Sequence, residues 1–152
     1  MRGLERAAEV REALAGTHLL SLPVAFRSID LGRPVDLVVD LTGRRVLALE
    51  VSCGDGALRL LPLPAARITP EELAVGSPLA VLDEVHASFY RERGCPLRTL
   101  RGAPVTRGEV ELGALEDVVV LADGQVVELV VDGPAGRRRV AFDDRLVVGG
   151  AR

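Results

Sequence analysis

The segment DLVVDLTGRRVLALEV (Asp36–Val51) returns later in the chain as DVVVLADGQVVELVV (Asp117–Val131), one residue shorter in its turn. A glycine stands four residues before each aspartate: Gly32 before Asp36, and Gly113 before Asp117. Downstream, LRLLPLPAARI (Leu58–Ile68) matches RRRVAFDDRLV (Arg137–Val147) in spacing. Each copy therefore reads glycine, aspartate, apolar strand, turn, apolar strand, turn, strand and a final short apolar stretch. An internal duplication is the simplest account of this order. Each copy spans about 55 to 65 residues, room for five or six short strands. An open sheet that small leaves two edges exposed, so closure into a small barrel is expected for each copy.

The local writing agrees with strands. VDLVVDL and RVLALEV flank TGR as a hairpin, GDG (Gly54–Gly56) makes the next turn, and ALRLLPL supplies a third strand. Pro62 and Pro64 place the end of that strand at a sheet edge, because proline cannot donate to a ladder. In the second copy the Asp123–Gly124 pair is expected to supply the positive φ angles of a tight hairpin turn. Aromatic residues are only 3% of the 152, with no Trp, so Val, Leu and Ala must fill the core. A compact chain of this length buries roughly 68–70% of its unfolded surface and needs neither disulfide nor metal to fold.

Outside the copies the pattern turns helical. Leu4, Ala7, Val10 and Leu14 share one side of an expected N-terminal helix that Gly16 would stop. Alone it is marginal, so it should dock on the body of the protein or on a second copy of the chain. In ITPEELAVG, Thr69 with Glu72 fits a capping box and Pro70 a first helical position, predicting one or two turns ended by Gly76. SPLAVL then returns to strand. Leu82–Pro96 carries Leu82, Val85 and Phe89 at helical spacing, a helical connector ended by Gly94 and Pro96. The expected division is a helix and lead-in over 1–20, a first repeat over 21–83, the connector over 84–96, and a second repeat over 97–152.

The patterns LGRPVDLVVDLTGRRVLALEV…LLPLPAARI and LGALEDVVVLADGQVVELVVDG…RRRVAFDDRLVV each resemble a PRC-barrel domain. The features that carry the likeness are the glycine four residues before an Asp-led apolar strand, the glycine-containing hairpin turn, and a later strand ending in LP or FDD. The likeness covers roughly Leu22–Asp83 and Leu97–Gly149, and the first copy departs from it at SIDLGRP, where the upstream strand is short. That family is named for the cytoplasmic barrel of the photosynthetic reaction-centre H subunit, and it also supplies the C-terminal domain of a ribosome maturation factor. The resemblance implies a mainly β fold of two small barrels acting as an adaptor or protein-docking module. It brings no catalytic motif and no functional residue to carry over.

Charge and chemistry point the same way. Acids outnumber bases 22 to 19, giving a formal charge of −3, which disfavours wholesale capture of nucleic acid. Cys53 and Cys95 are not in a C-x-x-C arrangement and read as free thiols of a reducing cytoplasm. The N-terminus lacks the apolar core of a signal peptide, and no run is long enough to span a bilayer. His18 and His86 are the only histidines. A site from Asp83, Glu84 and His86 would need further ligands, so His86 reads as a solvated connector residue. A Cys–His pair can be drawn, yet neither cysteine has a local catalytic signature. Glu71–Glu72 and Asp143–Asp144 are explained by helix-start and turn chemistry. GDG and DGPAG lack phosphate-loop spacing.

The sharpest basic feature is Arg137–Arg138–Arg139, with Arg44–Arg45 a lesser pair. It could contact a protein partner or RNA phosphates. The acidic chain and the lack of an aromatic platform favour a solvated turn and strand start over an RNA site. The sequence reading is thus a non-enzymatic adaptor without cofactor or metal, with unidentified protein partners. The alternative is an accessory factor of ribosome or RNA assembly that uses Arg137, Arg138 and Arg139.

Overall fold

In the computed structural model, which describes residues 12–82 and 84–149, the two related segments form the central hairpins of two sheets. In chain order the elements are Leu14–Ala15 (β1), Gly16–Leu20 (α1), Val24–Phe26 (β2), Ile29–Asp40 (β3), Arg45–Cys53 (β4) and Leu58–Pro62 (β5). A 3₁₀ turn at Leu63–Ala65 leads to Ala66–Ile68 (β6) and Leu73–Val75 (β7), and a second at Pro78–Ala80 leads to Glu84–Arg93 (α2). The remainder is Cys95–Pro96 (β8), Leu97–Leu100 (α3), Pro104–Arg107 (β9), Val110–Val120 (β10), Val126–Gly133 (β11), Gly136–Ala141 (β12) and Leu146–Val148 (β13). Strands hold about 54% of the described residues, far above the usual 20–25%, so the protein is mainly β.

One sheet runs β5-β4-β3-β2-β7-β6 with β8 also on β3; the other runs β12-β11-β10-β9-β13 with β1 also on β10. One of the two is curled into a half-barrel. Strand alternation sends Leu37, Val39, Leu49 and Val51 of the first sheet into the same buried cluster as Val118, Val120, Leu129 and Val131 of the second. This shared core holds the halves together, and aliphatic side chains build almost all of it.

The registers of the two hairpins match in detail. In β3–β4 the ladder shifts between Pro34 and Asp36 and again between Val38 and Val39. In β10–β11 it shifts between Leu115 and Asp117 and again between Val119 and Val120, each position 81 residues further on. Each shift is a bulge that bends and twists its strand. Gly32 and Gly113 lie just before the first bulge. A Cβ on Gly113 would collide with the Asp132 carbonyl, and one on Gly32 would lie 2.6 Å from the Ser52 oxygen. The glycine that precedes each aspartate is thus required by close strand approach.

The short elements bracket the opposite sheets. β1 pairs with β10 (Leu14 with Val120, Ala15 with Val119), and β8 pairs with β3 (Pro96 with Val38, Cys95 with Val39). The lead-in to the first half therefore docks on the second half, and the lead-in to the second docks on the first. At the centre, Val46 donates to the Gly124 carbonyl at 2.7 Å and Val126 donates to the Arg44 carbonyl at 2.8 Å. These reciprocal bonds flank a bridge between Arg45 and Gln125.

Several expectations change. Of the helix expected over Leu4–Leu14, residues up to Arg11 lie outside the described residues, and Leu14 is in a strand. Gly16 begins a helix instead of ending one, because it packs where a Cβ would meet Asp117 Oδ1 at 2.7 Å. ITPEELAVG contains no helix. Thr69 Oγ1 accepts from the Glu71 and Glu72 amides and donates to the Glu72 carbonyl, closing a turn between β6 and β7. The Thr-x-x-Glu spacing serves a turn as well as a cap. Buried Leu73 and Val75 then make β7 a parallel neighbour of β2. SPLAVL is a 3₁₀ turn capped by Ser77, with only Leu82 bridging a strand. At Asp123–Gly124 only Gly124 has positive φ (97°). The connector helix stands as expected, at Glu84–Arg93.

The halves also differ. β13 pairs directly with β9, whereas β6, its counterpart by sequence spacing, pairs with β7. No helix among the described residues is long and apolar enough to cross a membrane.

Candidate functional site: an open rim on the second sheet

The equivalent aspartates organise the outer faces. Asp36 Oδ1 accepts from the Leu37 amide and Asp117 Oδ1 from the Val118 amide, both at 2.8 Å. The second carboxylate oxygen of each captures the first turn of the short helix docked on that sheet. Asp117 Oδ2 accepts from Thr17 N (3.2 Å) and Thr17 Oγ1 (2.9 Å). Asp36 Oδ2 accepts from Arg98 N (3.4 Å) and Arg98 Nη1 (2.6 Å). Thr17 and Arg98 are again 81 residues apart.

On the first sheet this grows into a charge network. Glu50, only 2% exposed, takes Arg98 Nη1 on Oε1 at 2.9 Å and Arg91 Nη1 on Oε2 at 2.7 Å. Burial pushes the Glu50 carboxyl up, but the hydrogen bonds and charges of Arg91 and Arg98 outweigh it and hold the group below its ordinary value. The Arg98 guanidinium is raised by the hydrogen bond and charge of Glu50, then by Asp36. Arg91 belongs to α2, whose Ala87 and Tyr90 pack on Val38, Ala48 and Leu60. Leu82 closes the edge, its amide and carbonyl bonding Leu60 at 2.6 and 3.0 Å. α2 and Leu82 thus cover Ala48, Glu50 and Leu60.

The second sheet has different chemistry at the corresponding positions. Val130 stands in register where Glu50 stands, Glu128 where Ala48 stands, and Arg139 opposite Val130 where Leu60 stands opposite Glu50. In place of apolar Ala48 and Leu60 it carries a Glu128–Arg139 pair at 3.6 Å. A cleft of about 700 Å³ lies here, lined by Thr17, Arg101, Asp117, Arg137, Arg138 and Arg139 among others. Arg137 Nη2 meets Glu116 Oε1 at 2.6 Å, and Arg101 Nε donates to the Glu116 carbonyl at 3.0 Å. Among the described residues, Arg101 and Arg138 have no acidic side-chain partner.

The three arginines singled out in the sequence thus lie at the exposed start of edge strand β12, just after the Gly133–Gly136 turn, matching the strand start expected for them. Sequence reasoning missed Thr17, Arg101 and Asp117 as their neighbours. Asp117 was visible only as the head of a segment similar to the one that begins at Asp36, and nothing local marks Thr17 or Arg101. Arg44–Arg45 lies elsewhere: Arg45 Nη2 donates to the Asp123 carbonyl at 2.6 Å, and Arg44 stacks on Phe142.

The other chemical candidates fall into separate places. A second cleft, about 760 Å³, is lined by Cys53, Asp55, Arg59, Leu79 and His86 among others. There the two Arg59 hydrogen bonds hold the Asp55 carboxyl down to about 2. Cys53 and Cys95 are both unpaired thiols and half-buried. Asp143 binds Arg107 through both oxygens at 3.0 Å and caps the Arg145 amide, the turn role expected of it. No group of three His, Cys, Asp or Glu side chains among the described residues could hold a metal ion. Asp83, one member of the imagined metal site, lies outside the described residues.

Compared with known proteins, the chain matches no protein-family model and none of the curated proteins.

Proposed function

We propose that this protein is a non-enzymatic interaction module made of two PRC-barrel-like repeats, in which the first is scaffold and the second binds. The duplication is supported by bulges, aspartate hydrogen bonds and docked helix starts that recur at one spacing of 81 residues. The observation that carries the binding role is the contrast at one position. Leu60 lies beneath α2 and is bridged by Leu82, whereas Arg139 sits on the exposed outer strand of its sheet. A set of guanidinium groups on an uncovered rim is a surface for acidic partners.

The test is affinity capture from native lysate with and without nuclease, using the wild type and the Arg137→Ala, Arg138→Ala, Arg139→Ala triple variant. A defined protein retained after nuclease and lost with the triple variant supports the module. Recovery that nuclease abolishes would replace it with the RNA-assembly reading.

A further inference from the structure

The backbone of β12 carries more information than its side chains. Phe142 donates to the Val127 carbonyl at 3.0 Å, which sets the parity of the strand. Val140 and Arg138 then bond inward to β11, and the amides and carbonyls of Arg137 and Arg139 face away from the sheet. β12 ends the order of its sheet, so no described strand receives them. The Ala141 carbonyl, next in the outward series, is taken by Arg107 Nη2 at 3.0 Å. Two outward residues at strand spacing are left with open donors and acceptors.

The same molecule shows what such an edge accepts. On β5, Leu60 occupies the equivalent outward position, and it exchanges both backbone bonds with Leu82 of an extended segment. Pro62, two residues on, also faces outward, where its missing N–H costs nothing.

We infer that the free edge of β12 binds an extended, acidic segment of a partner protein by strand addition, with backbone bonds to Arg137 and Arg139 and an acidic side chain against Arg138. This rests on the binding role proposed for the second repeat and names its mode and partner chemistry. The acidic requirement follows from Arg138, which lies on the side of the strand opposite to Arg137 and Arg139 and lacks an acidic partner among the described residues. A second copy of this chain is the wrong occupant, because antiparallel pairing of two β12 strands would set arginine triplets against each other. RNA finds phosphate-binding cations here, but no ring among the lining residues on which to stack.

The experiment is selection of a displayed random twelve-residue peptide library on the purified full chain, followed by titration of the chosen peptides. The expected winners alternate residue character and carry acids. Replacing their acids by lysine should weaken binding about fivefold to tenfold. Arg138→Glu should reverse that preference. Arg139→Pro, which removes an outward N–H and no ladder bond to β11, and within the chain only the 3.6 Å ion pair with Glu128, should abolish binding while thermal unfolding stays cooperative. The amides of Arg137 and Arg139 should exchange more slowly in the complex. Peptides that bind Arg139→Pro as well as wild type, or a library that yields no binder while a single-stranded RNA 20-mer binds, would overturn strand addition. If lysate capture is lost with the triple alanine variant yet survives Arg139→Pro, the module stands and its strand-addition mode falls.

Discussion

The two halves share a backbone plan and diverge in what lies over it. On the first, Asp36 and Glu50 are buried together and draw in Arg98 and Arg91, and α2 packs on Ala48 and Leu60. On the second, Asp117 stands with the neutral donor Thr17, and Ala48 and Leu60 give way to Glu128 and Arg139. The difference teaches that two hairpins of matching register can carry a covered face in one sheet and an exposed, charged rim in the other, according to the side chains at a few positions. The bulged hairpins beneath need not change.

The first way to break the comparison is at its charged centre. Arg98→Ala strips a shared cation from Asp36 and leaves Glu50 with Arg91 alone. It should destabilise by about 2–3 kcal/mol, less than the roughly 3–5 kcal/mol of a fully enclosed pair because the Arg98 side chain is largely exposed. Chemical denaturation measures it. The equivalent change on the other half, Thr17→Val, removes one hydroxyl donor from a carboxylate that keeps two amides, and should cost about 1–2 kcal/mol. Equal costs would show that the two aspartates are not separated by their partners' charge.

Backbone closeness should be common to both halves. Gly113→Ala forces a Cβ onto the Asp132 carbonyl at a φ of 142° and should cost about 1–3 kcal/mol in the same assay.

The pH response sharpens the contrast further. Glu50 is held below its ordinary pKa when folded, so its ionisation contributes stability above the unfolded value, near about 4.3. That contribution is lost as the pH falls through the lower folded value. Melting curves from about pH 7 down to about pH 3 should drop steeply below about pH 4, and Glu50→Gln should blunt the drop. The smallest effect belongs to the rim: Arg138→Ala should shift stability by no more than about 0.5 kcal/mol, as befits an exposed side chain with no acidic partner among the described residues.

Much of this was legible in the sequence. The spacing of Gly32 and Asp36, met again at Gly113 and Asp117, exposed the paired hairpins, because close strand approach and a bulge each demand a particular residue. The connector helix was legible in its place before Gly94, but not in its packed face: Leu82 lies outside it, Phe89 is exposed, and Ala87 and Tyr90 make the contact. Thr69–Val75 was not, since Thr-x-x-Glu satisfies a turn and a helix start equally, and the parallel partner β2 lies far back in the chain. The arginine triplet was legible as a cluster. Its neighbours Thr17, Arg101 and Asp117 were not, because the exchange of β1–α1 and β8–α3 between sheets is a long-range pairing with no local mark.

The most direct test of the account is native-state hydrogen exchange at two amides, Leu60 and Arg139, in the unliganded protein. Leu60, bonded to Leu82 and under α2, should exchange slowly, close to the rate set by global unfolding. Arg139, on the open edge, should exchange nearly as fast as an unprotected amide. Comparable strong protection at both would mean that the second rim is covered as the first is, and would contradict the division into a sealed half and a binding half.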